Sequence, residues 1–518
     1  MNPKLRTVYQ RHGFALGLGL IFVISCGLRF WGLSRFPALV FDEVYFAQFA
    51  QDYLTQTPFF DNHPPLGKYF IALGMWLSQG LPIAGAAVTE VDGFRWVTWG
   101  YRWMNALVGS LLPLLGAAIA YELSQRRSYA LVAAALMACD GLLLVESRYA
   151  LINVYILALG LAGQWAFLRA VGGGRRSARG RGSGPWLLVS GLLCGASVAV
   201  KWNGLGFLLG LYGWWAVVRW GGGLYRYLGQ RLLPPSPLFA PHLRRSPPSL
   251  PPSPLPDPWR SLQAVTLGDL LVSLAVVPFL IYRWVWVPHL GLNPEYDFWQ
   301  SQTQGLSSHA HVGSGRDVHP YCSPWWSWTL LVRPVAYWYQ TEVRDGKTWV
   351  YDVHALGNPL LWWLSAWAIL FVVLSLAWGI GGWLVSVGGP WGVGVGLPRS
   401  SALMSSSPSP WDRLEMNGSD LWILGYLLLN YGANWIPWAG VSRCLFLYHH
   451  MAASIYGFLI LGWLLDRWFR SGRSLLWWAA ALALGSIVLA LIYWLPIYLG
   501  LPLEESVFRS RIWFKSWY

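Results

Sequence analysis

Long apolar runs recur along most of this chain, each about 17 to 25 residues, the length at which an α-helix crosses a hydrocarbon core. They fall near 13–33, 103–121, 129–147, 150–170, 186–200, 203–219, 264–287, 358–384, 420–438, 445–465 and 475–499. In lipid a backbone must satisfy its own N–H and C=O groups, so about eleven such segments predict an all-α polytopic membrane protein with about eleven transmembrane helices. Composition excludes the ordinary soluble globule, since 55% of residues are hydrophobic and only 12% charged. The 37 Trp and 25 Tyr exceed what core packing needs, and rings with one polar edge favour the lipid headgroup level. Lys201 and Trp202 alone separate the fifth and sixth segments. The apolar run near 64–85 carries Lys68 and several Gly and Pro, and reads as re-entrant or lying on the membrane surface.

Charge sets the orientation. With Lys4, Arg6 and Arg11 cytoplasmic, the inner loops hold Arg126, Arg127, RRSARGRG at 175–182, Arg226, Arg231, Arg244, Arg245, Arg260 and the DRWFRSGR turn at 466–473. Roughly 21 of the 37 basic residues and about 7 of the 23 acids then lie inside, the bias of the positive-inside rule. The net charge of +14 is therefore a topology signal. No zinc spacing, RNP-like motif or basic helix supports a nucleic-acid partner.

This orientation divides the chain into a membrane module 1–220 with an outer loop 34–102, a Pro/Arg-rich cytoplasmic linker 221–263, and a second membrane module 264–518 with an outer loop 288–357. The inner stretches 221–262 and 386–418 are Pro, Ser, Gly and Arg, and read as flexible spacers. The outer loops are rich in acids, His, Trp and Tyr, and read as the working parts. The N-terminal run is too long for a signal h-region and reads as a retained helix. Five cysteines show no paired spacing and read as small apolar residues, a Cys322–Cys444 bridge being the outlying alternative. The sequon Asn417-Gly418-Ser419 falls in an inner loop, where an N-glycan is not expected.

Ionisable residues at membrane depth are costly and default to function. Asp42 and Glu43, in FDEVYFAQFAQDYL, stand just past the first span; after them Phe46, Phe49, Ala50, Tyr53 and Leu54 recur at helical spacing, predicting an amphipathic surface helix. The plainer reading is that Asp42 caps that helix, which is compatible with its also serving as a base. Glu146 and Arg148 in ESRYALIN, Lys201 in VAVKWNGLG and Arg443 in SRCLFLYHH map to the same outer face. Singly each reads as a snorkelling side chain or half of an ion pair, as Glu146 with Arg148; together the three cations form a cradle for a phosphate.

Eight motifs in order, FDEVYFAQFAQDYL, HPPLGK, ESRYALIN, SVAVKWNGLG, HPYCSPWWSW, ALGNPLLWW, SRCLFLYHH and the tail from WLPIYLG to WFKSWY, resemble the protein O-mannosyltransferase family from about residue 40 to the C-terminus. The resemblance implies a C-type glycosyltransferase fold with eleven spans and an extracytoplasmic C-terminus. It implies an inverting transfer of a sugar, normally mannose, from a polyprenyl phosphate carrier to Ser or Thr hydroxyls of exported proteins at the outer face of the cell membrane. Asp42 then matches the acid that takes the acceptor proton and Glu43 its neighbour. Arg148 matches the cation near the donor phosphate, with Lys201 and Arg443 in family motifs beside it. His63, Pro64, Pro65 and Lys68 fall in the segment that shapes the acceptor side.

A single displacement needs one base and help for the leaving group, and a lipid donor needs no nucleotide pocket. No phosphate loop or DxD-like cluster is visible, so no metal or cofactor is expected and the lipid-linked sugar is a substrate. Asn153 stands where the family commonly has Asp, which puts an ion pair there in doubt. The loop 288–357 is too short for the β-trefoil insert of eukaryotic members, which points to a bacterial type whose acceptor choice rests on that loop, where His309, His311, Arg316, Asp317, His319 and several Trp offer contacts. The plainer reading of those histidines is loop hydrogen bonding. The alternatives are a related transferase acting on a glycolipid, against which HPPLGK and ALGNPLLWW argue, and a transporter, which would show an internal repeat and broken helices near the midplane.

Overall fold

A computed structural model describes residues 3–80, 86–172, 183–232, 258–388 and 418–518. Much of the linker 221–263, the RRSARGRG run and Asn417 of the sequon lie outside the described residues. The body is helical. The first half carries α1 (Pro3–Phe30), α2 (Glu43–Thr55), α3 (Leu66–Ser78), α4 (Trp103–Ser124), α5 (Arg127–Ala138), α6 (Gly141–Glu146), α7 (Asn153–Val171), α8 (Ser183–Val200) and α9 (Leu205–Leu232). The second carries α10 (Pro258–Ala264), α11 (Leu267–Leu270), α12 (Val277–Leu292), α13 (Phe298–His311), α14 (Pro359–Gly388), α15 (Gly418–Trp435), α16 (Met451–Phe469), α17 (Ser474–Leu499) and α18 (Glu505–Arg509).

Among the described residues six helices are long and apolar enough to cross a membrane, fewer than the eleven segments expected: His12–Phe30, Trp103–Ser124, Asn153–Val171, Leu267–Leu292, Pro359–Ala377 and Ser474–Leu499. Helices occupy the other segments, with local reasons for falling short. The run 129–147 breaks at Cys139, where the buried Asp140 caps α6 by accepting from Leu143 N at 2.8 Å. In α15 the polar Asp420, Asn430 and Asn434 are buried, and α16 ends on Asp466 and Arg467.

Two small sheets stand among the helices, and the sequence reading had placed no strands there. β1 (Val88–Val91) pairs antiparallel with β2 (Phe94–Val97), and β3 (Val335–Arg344) with β4 (Lys347–Ala355), which in turn pairs with β5 (Leu503–Glu504). Both hairpins turn on an Asp-Gly pair with positive φ, Asp92 and Gly93 at 49° and 75°, Asp345 and Gly346 at 51° and 72°. This is the dipeptide that two-residue hairpin turns favour.

The pairing of β5 with β4 ties the C-terminal tail to the loop 288–357, and Trp517 Nε1 donates to Leu331 O at 2.8 Å. Both therefore lie at one end of the bundle. At the opposite end basic residues assigned to inner loops meet acids, Arg470 and Arg126 on Asp466 at 2.9 and 3.7 Å and Arg467 on Asp420 at 3.0 Å, and Arg169 at the end of α7 pairs with Glu122 at 3.2 Å.

Two features shape the wall of a large cavity. The helix through α11 and α12 widens into a π-turn at Leu271–Val276. Pro278 has no N–H for the Leu274 carbonyl, and the Tyr212 hydroxyl donates to it instead at 2.6 Å. Against that turn lies α8, and a Cβ at Gly191 would stand 1.6 Å from Ser273 O, so only glycine permits the approach.

Candidate functional site

Asp42 sits where α1 has ended and α2 begins. Its carboxylate makes no capping hydrogen bond, so the plainer reading of it as a helix cap is not what the structure has. Burial pushes its pKa up to about 6, opposed by Lys201 and aided by Asp61. The residue before it, Phe41, has φ +53°, a left-handed conformation that costs a bulky side chain on the order of 1 kcal/mol or more. The Phe41 ring stacks on Tyr337 of β3 with centroids 4.0 Å apart and meets Tyr448 edge-on at 6.0 Å.

Glu43 is fully buried and faces away from this opening. It takes a bidentate pair from Arg102, Nε to Oε1 at 2.8 Å and Nη2 to Oε2 at 2.7 Å, and accepts from Val40 N and Ala150 N. All its lone pairs are directed at protein donors. Its place is to lock the start of α2, and with it Asp42, onto the ESRYALIN segment.

Arg148 departs from the expected phosphate role. It is buried, and its two terminal nitrogens donate to the carbonyls of Leu28, Arg29, Trp31 and Gly32 at 2.7 to 3.2 Å. The last carbonyls of a helix have no partner within it, and a guanidinium supplies several donors at once. Arg148 thus ties off α1 and does not line the cavity that holds the other two cations.

That cavity has a volume of about 990 Å³. Lys201, Arg443, His63 and His309 contribute to its wall, whose remainder is largely hydrocarbon from Leu205, Leu208, Leu274, Phe279 and their neighbours. Lys201 is buried, lies 5.5 Å from the centre of the Tyr448 ring and is the cation that acts most strongly on Asp42. His63 and His309 stand 5.4 Å apart, ring to ring. Burial first, then the surrounding cations, hold His63 well below the ordinary imidazole range, and burial lowers His309 as well. Both shifts favour the uncharged imidazole beside the cations.

The HPPLGK segment frames this opening. Pro65 precedes α3, Lys68 pairs with Asp61 and donates to His63 O at 2.8 Å, and Pro64, Pro65 and Lys68 are buried. Lys68 therefore holds the loop that carries His63 and is not itself open to a ligand. Gly67 is needed for close approach, since a Cβ there would come within 2.8 Å of Ile152 and 3.0 Å of Val200, next to Lys201.

Three further features surround the site. Glu146 does not pair with Arg148; it accepts from the Tyr337 hydroxyl and from Asn153 Nδ2 at 3.2 Å. Asn153 thus serves a carboxylate instead of being one. Cys322 and Cys444 form a disulfide with Cα atoms 5.2 Å apart, so these two are not merely small apolar residues. ALGNPLLWW is structural: Asn358 N and Trp362 Nε1 donate to Asp140 at 3.2 and 2.7 Å, while Asn358 Nδ2 reaches the Cys139 and Ile487 carbonyls.

A helical membrane bundle with a cationic pocket at one end and a hydrocarbon-walled cavity leading from it belongs to the class that handles lipid-linked anions. The comparisons narrow the class. Residues 19–290 match the family model for dolichyl-phosphate-mannose-protein mannosyltransferase, and residues 295–517 that for the C-terminal four-span region of protein-O-mannosyltransferase. The polyprenol-phosphate-mannose–protein mannosyltransferase of Mycobacterium tuberculosis is 23% identical over 96% of this chain and 91% of its own length. The protein O-mannosyl-transferase 2 of Danio rerio is 32% identical over 37% of this chain and 25% of its own. The protein O-mannosyltransferase Pmt1-Pmt2 complex of S. cerevisiae, solved with its sugar donor, superimposes with a TM-score of 0.69 over 98% of this chain and 93% of that one at 16% identity, a likeness of fold.

The chain belongs to the protein O-mannosyltransferase family. It is a glycosyltransferase that moves mannose from a polyprenyl phosphate mannose donor to Ser or Thr of secreted or membrane proteins.

Proposed function

We propose that the transfer is a single displacement at the outer face of the plasma membrane, with Asp42 as general base and Lys201 and Arg443 on the donor phosphate. The observation that carries this reading is the large cavity, cationic at one end and hydrocarbon along its body, with Lys201 in electrostatic reach of Asp42. The prenyl chain lies along the apolar wall and the phosphate meets Lys201, Arg443, His63 and His309. Asp42 takes the proton of the Ser or Thr hydroxyl as its oxygen bonds to C1 of mannose. The C1–O bond to phosphate breaks on the opposite face, and the polyprenyl phosphate leaves with its new charge held by the two cations. No covalent sugar–enzyme intermediate forms, so the anomeric centre inverts.

His63, Pro64, Pro65 and Lys68 shape the acceptor side in this reading, Glu43 holds Asp42 in place, and Arg148 anchors α1 behind it. The bias of basic residues toward the opposite end of the bundle supports an outer-face site, and the disulfide between two loops of that face supports an oxidising compartment. NMR of the glycopeptide product tests the displacement: the linkage is expected to be the opposite anomer to that of the donor. Retention would require a glycosyl-enzyme and a second step.

A further inference from the structure

We propose that a second cavity, beside the donor cavity, binds carboxylate side chains of the acceptor polypeptide near the Ser or Thr to be mannosylated. Its volume is about 530 Å³. Arg316, Arg333 and Arg443 all contribute to its wall, and no Asp or Glu does. None of the three has an ion-pair partner among the described residues, and Arg316 and Arg333 lie close enough to repel one another. Three guanidiniums gathered without a counter-charge hold free energy that a bound anion releases.

The walls say which anion. Where the donor cavity is lined largely by hydrocarbon, this one carries five serines and three arginines among Trp, Val and Leu side chains, from two outer loops and the C-terminal tail, with the Cys322–Cys444 disulfide in the wall. Its apolar wall is far smaller than that of the donor cavity, which suits a short polar side chain better than a prenyl or acyl chain. Arg333 spends its Nε on Pro320 O at 2.6 Å and Arg443 one terminal nitrogen on Cys444 O at 3.1 Å, which leaves terminal nitrogens of both for a ligand.

Arg443 belongs to both walls. A chain seated in the polar cavity therefore lies next to the donor phosphate, where an acceptor must be. The backbone joins hold the two loops in register, Cys444 N to Gly313 O and Ser323 N to Leu445 O, both at 2.8 Å. The site thus selects polypeptides whose Ser or Thr has Asp or Glu nearby in sequence. It rests on the acceptor being a polypeptide.

The test uses full-length enzyme in detergent or proteoliposomes, polyprenyl phosphate mannose and matched Thr peptides that carry either Glu or Gln within a few residues of the acceptor. At low salt the Glu peptide is expected to have a KM about five- to tenfold lower. In R316Q and in the R316Q/R333Q double variant that ratio is expected to fall toward one. A wild-type ratio near one, with both peptides mannosylated, overturns the inference and leaves the transferase reading intact. Variants that raise the KM for the donor, or weaken binding to vesicles of anionic phospholipid, with the peptide ratio unchanged, assign the cavity to a lipid phosphate and overturn it too. If the wild-type enzyme mannosylates neither peptide, the reading of the acceptor fails and takes this inference with it.

Discussion

The Phe41 ring lies on the Tyr337 ring at 4.0 Å with 5° between their planes, while the Phe41 backbone holds a φ of +53°. Phe41 precedes Asp42, and Tyr337 donates to Glu146, so the loop 288–357 reaches back to fix the segment that carries Asp42, the proposed base. Stacked rings add about 0.5–1.5 kcal/mol beyond burial, comparable to the conformational cost that Phe41 bears.

Replacing Tyr337 separates the two contacts. Y337F keeps the ring and removes the bond to Glu146; Y337L removes the stack as well. A base displaced by about 1 Å can lose about 10²-fold in rate, so kcat is expected to fall at least tenfold in Y337L, and further than in Y337F, with the KM for the donor little changed. Steady-state kinetics with donor and peptide varied separately checks the split.

Asp42 must be ionised to accept a proton, and its pKa lies at about 6. The rate is expected to be level above pH 7 and to fall tenfold per unit below about 6. This loss is not unfolding. Between the ordinary carboxylate range and pH 6 the folded chain binds more protons than the unfolded one, so this group's contribution to stability increases as pH falls. A pH–rate profile run beside a thermal melt at each pH distinguishes the two.

Lys201 and Arg148 are expected to fail in different ways. K201A is expected to raise the KM for the lipid donor about tenfold or more while the protein remains folded. In R148M the carbonyls at the end of α1 lose their buried donor, each lost partner costing about 1–3 kcal/mol, and thermal stability is expected to fall before donor affinity does. Fluorescence-detected size exclusion after heating, paired with donor titration, reads both.

Glu43 and Arg102 are both fully buried. Removing one partner strands the other's charge, so E43A is expected to destabilise the fold by about 3–5 kcal/mol and to lower the yield of folded enzyme. A variant of normal stability with no activity would instead place Glu43 in the chemistry.

The helical body was legible because lipid leaves few choices: apolar length forces helices. Asp42, Lys201 and Arg443 stand out in the sequence because charge at membrane depth is expensive, and Lys201 and Arg443 share one cavity wall. Arg148 met the same criterion and proved to be an anchor, since burial cost alone does not distinguish a ligand site from a helix end that needs donors. The span count is smaller on length and hydropathy because Asp140 and the polar faces of α15 and α16 interrupt apolar runs with buried hydrogen bonds that composition does not display. The hairpins carried a readable signal in Asp92-Gly93 and Asp345-Gly346, each flanked by strand-forming residues, but hydropathy over long windows erases a period of two. Tyr337 had no local signal at all. Its partners are distant in sequence, at Phe41 and Glu146, and only the folded loop brings them together.

The central claim is that Asp42 is the base within electrostatic reach of Lys201, in the wall of a cavity that holds a prenyl phosphate. The direct measurement is mannose transfer from polyprenyl phosphate mannose to a Thr peptide by purified D42N, an isosteric change that keeps the site's shape. Transfer is expected to fall by about 10²- to 10⁴-fold, with the melting temperature and donor binding of the wild type retained. Transfer at the wild-type rate by the folded variant would contradict it.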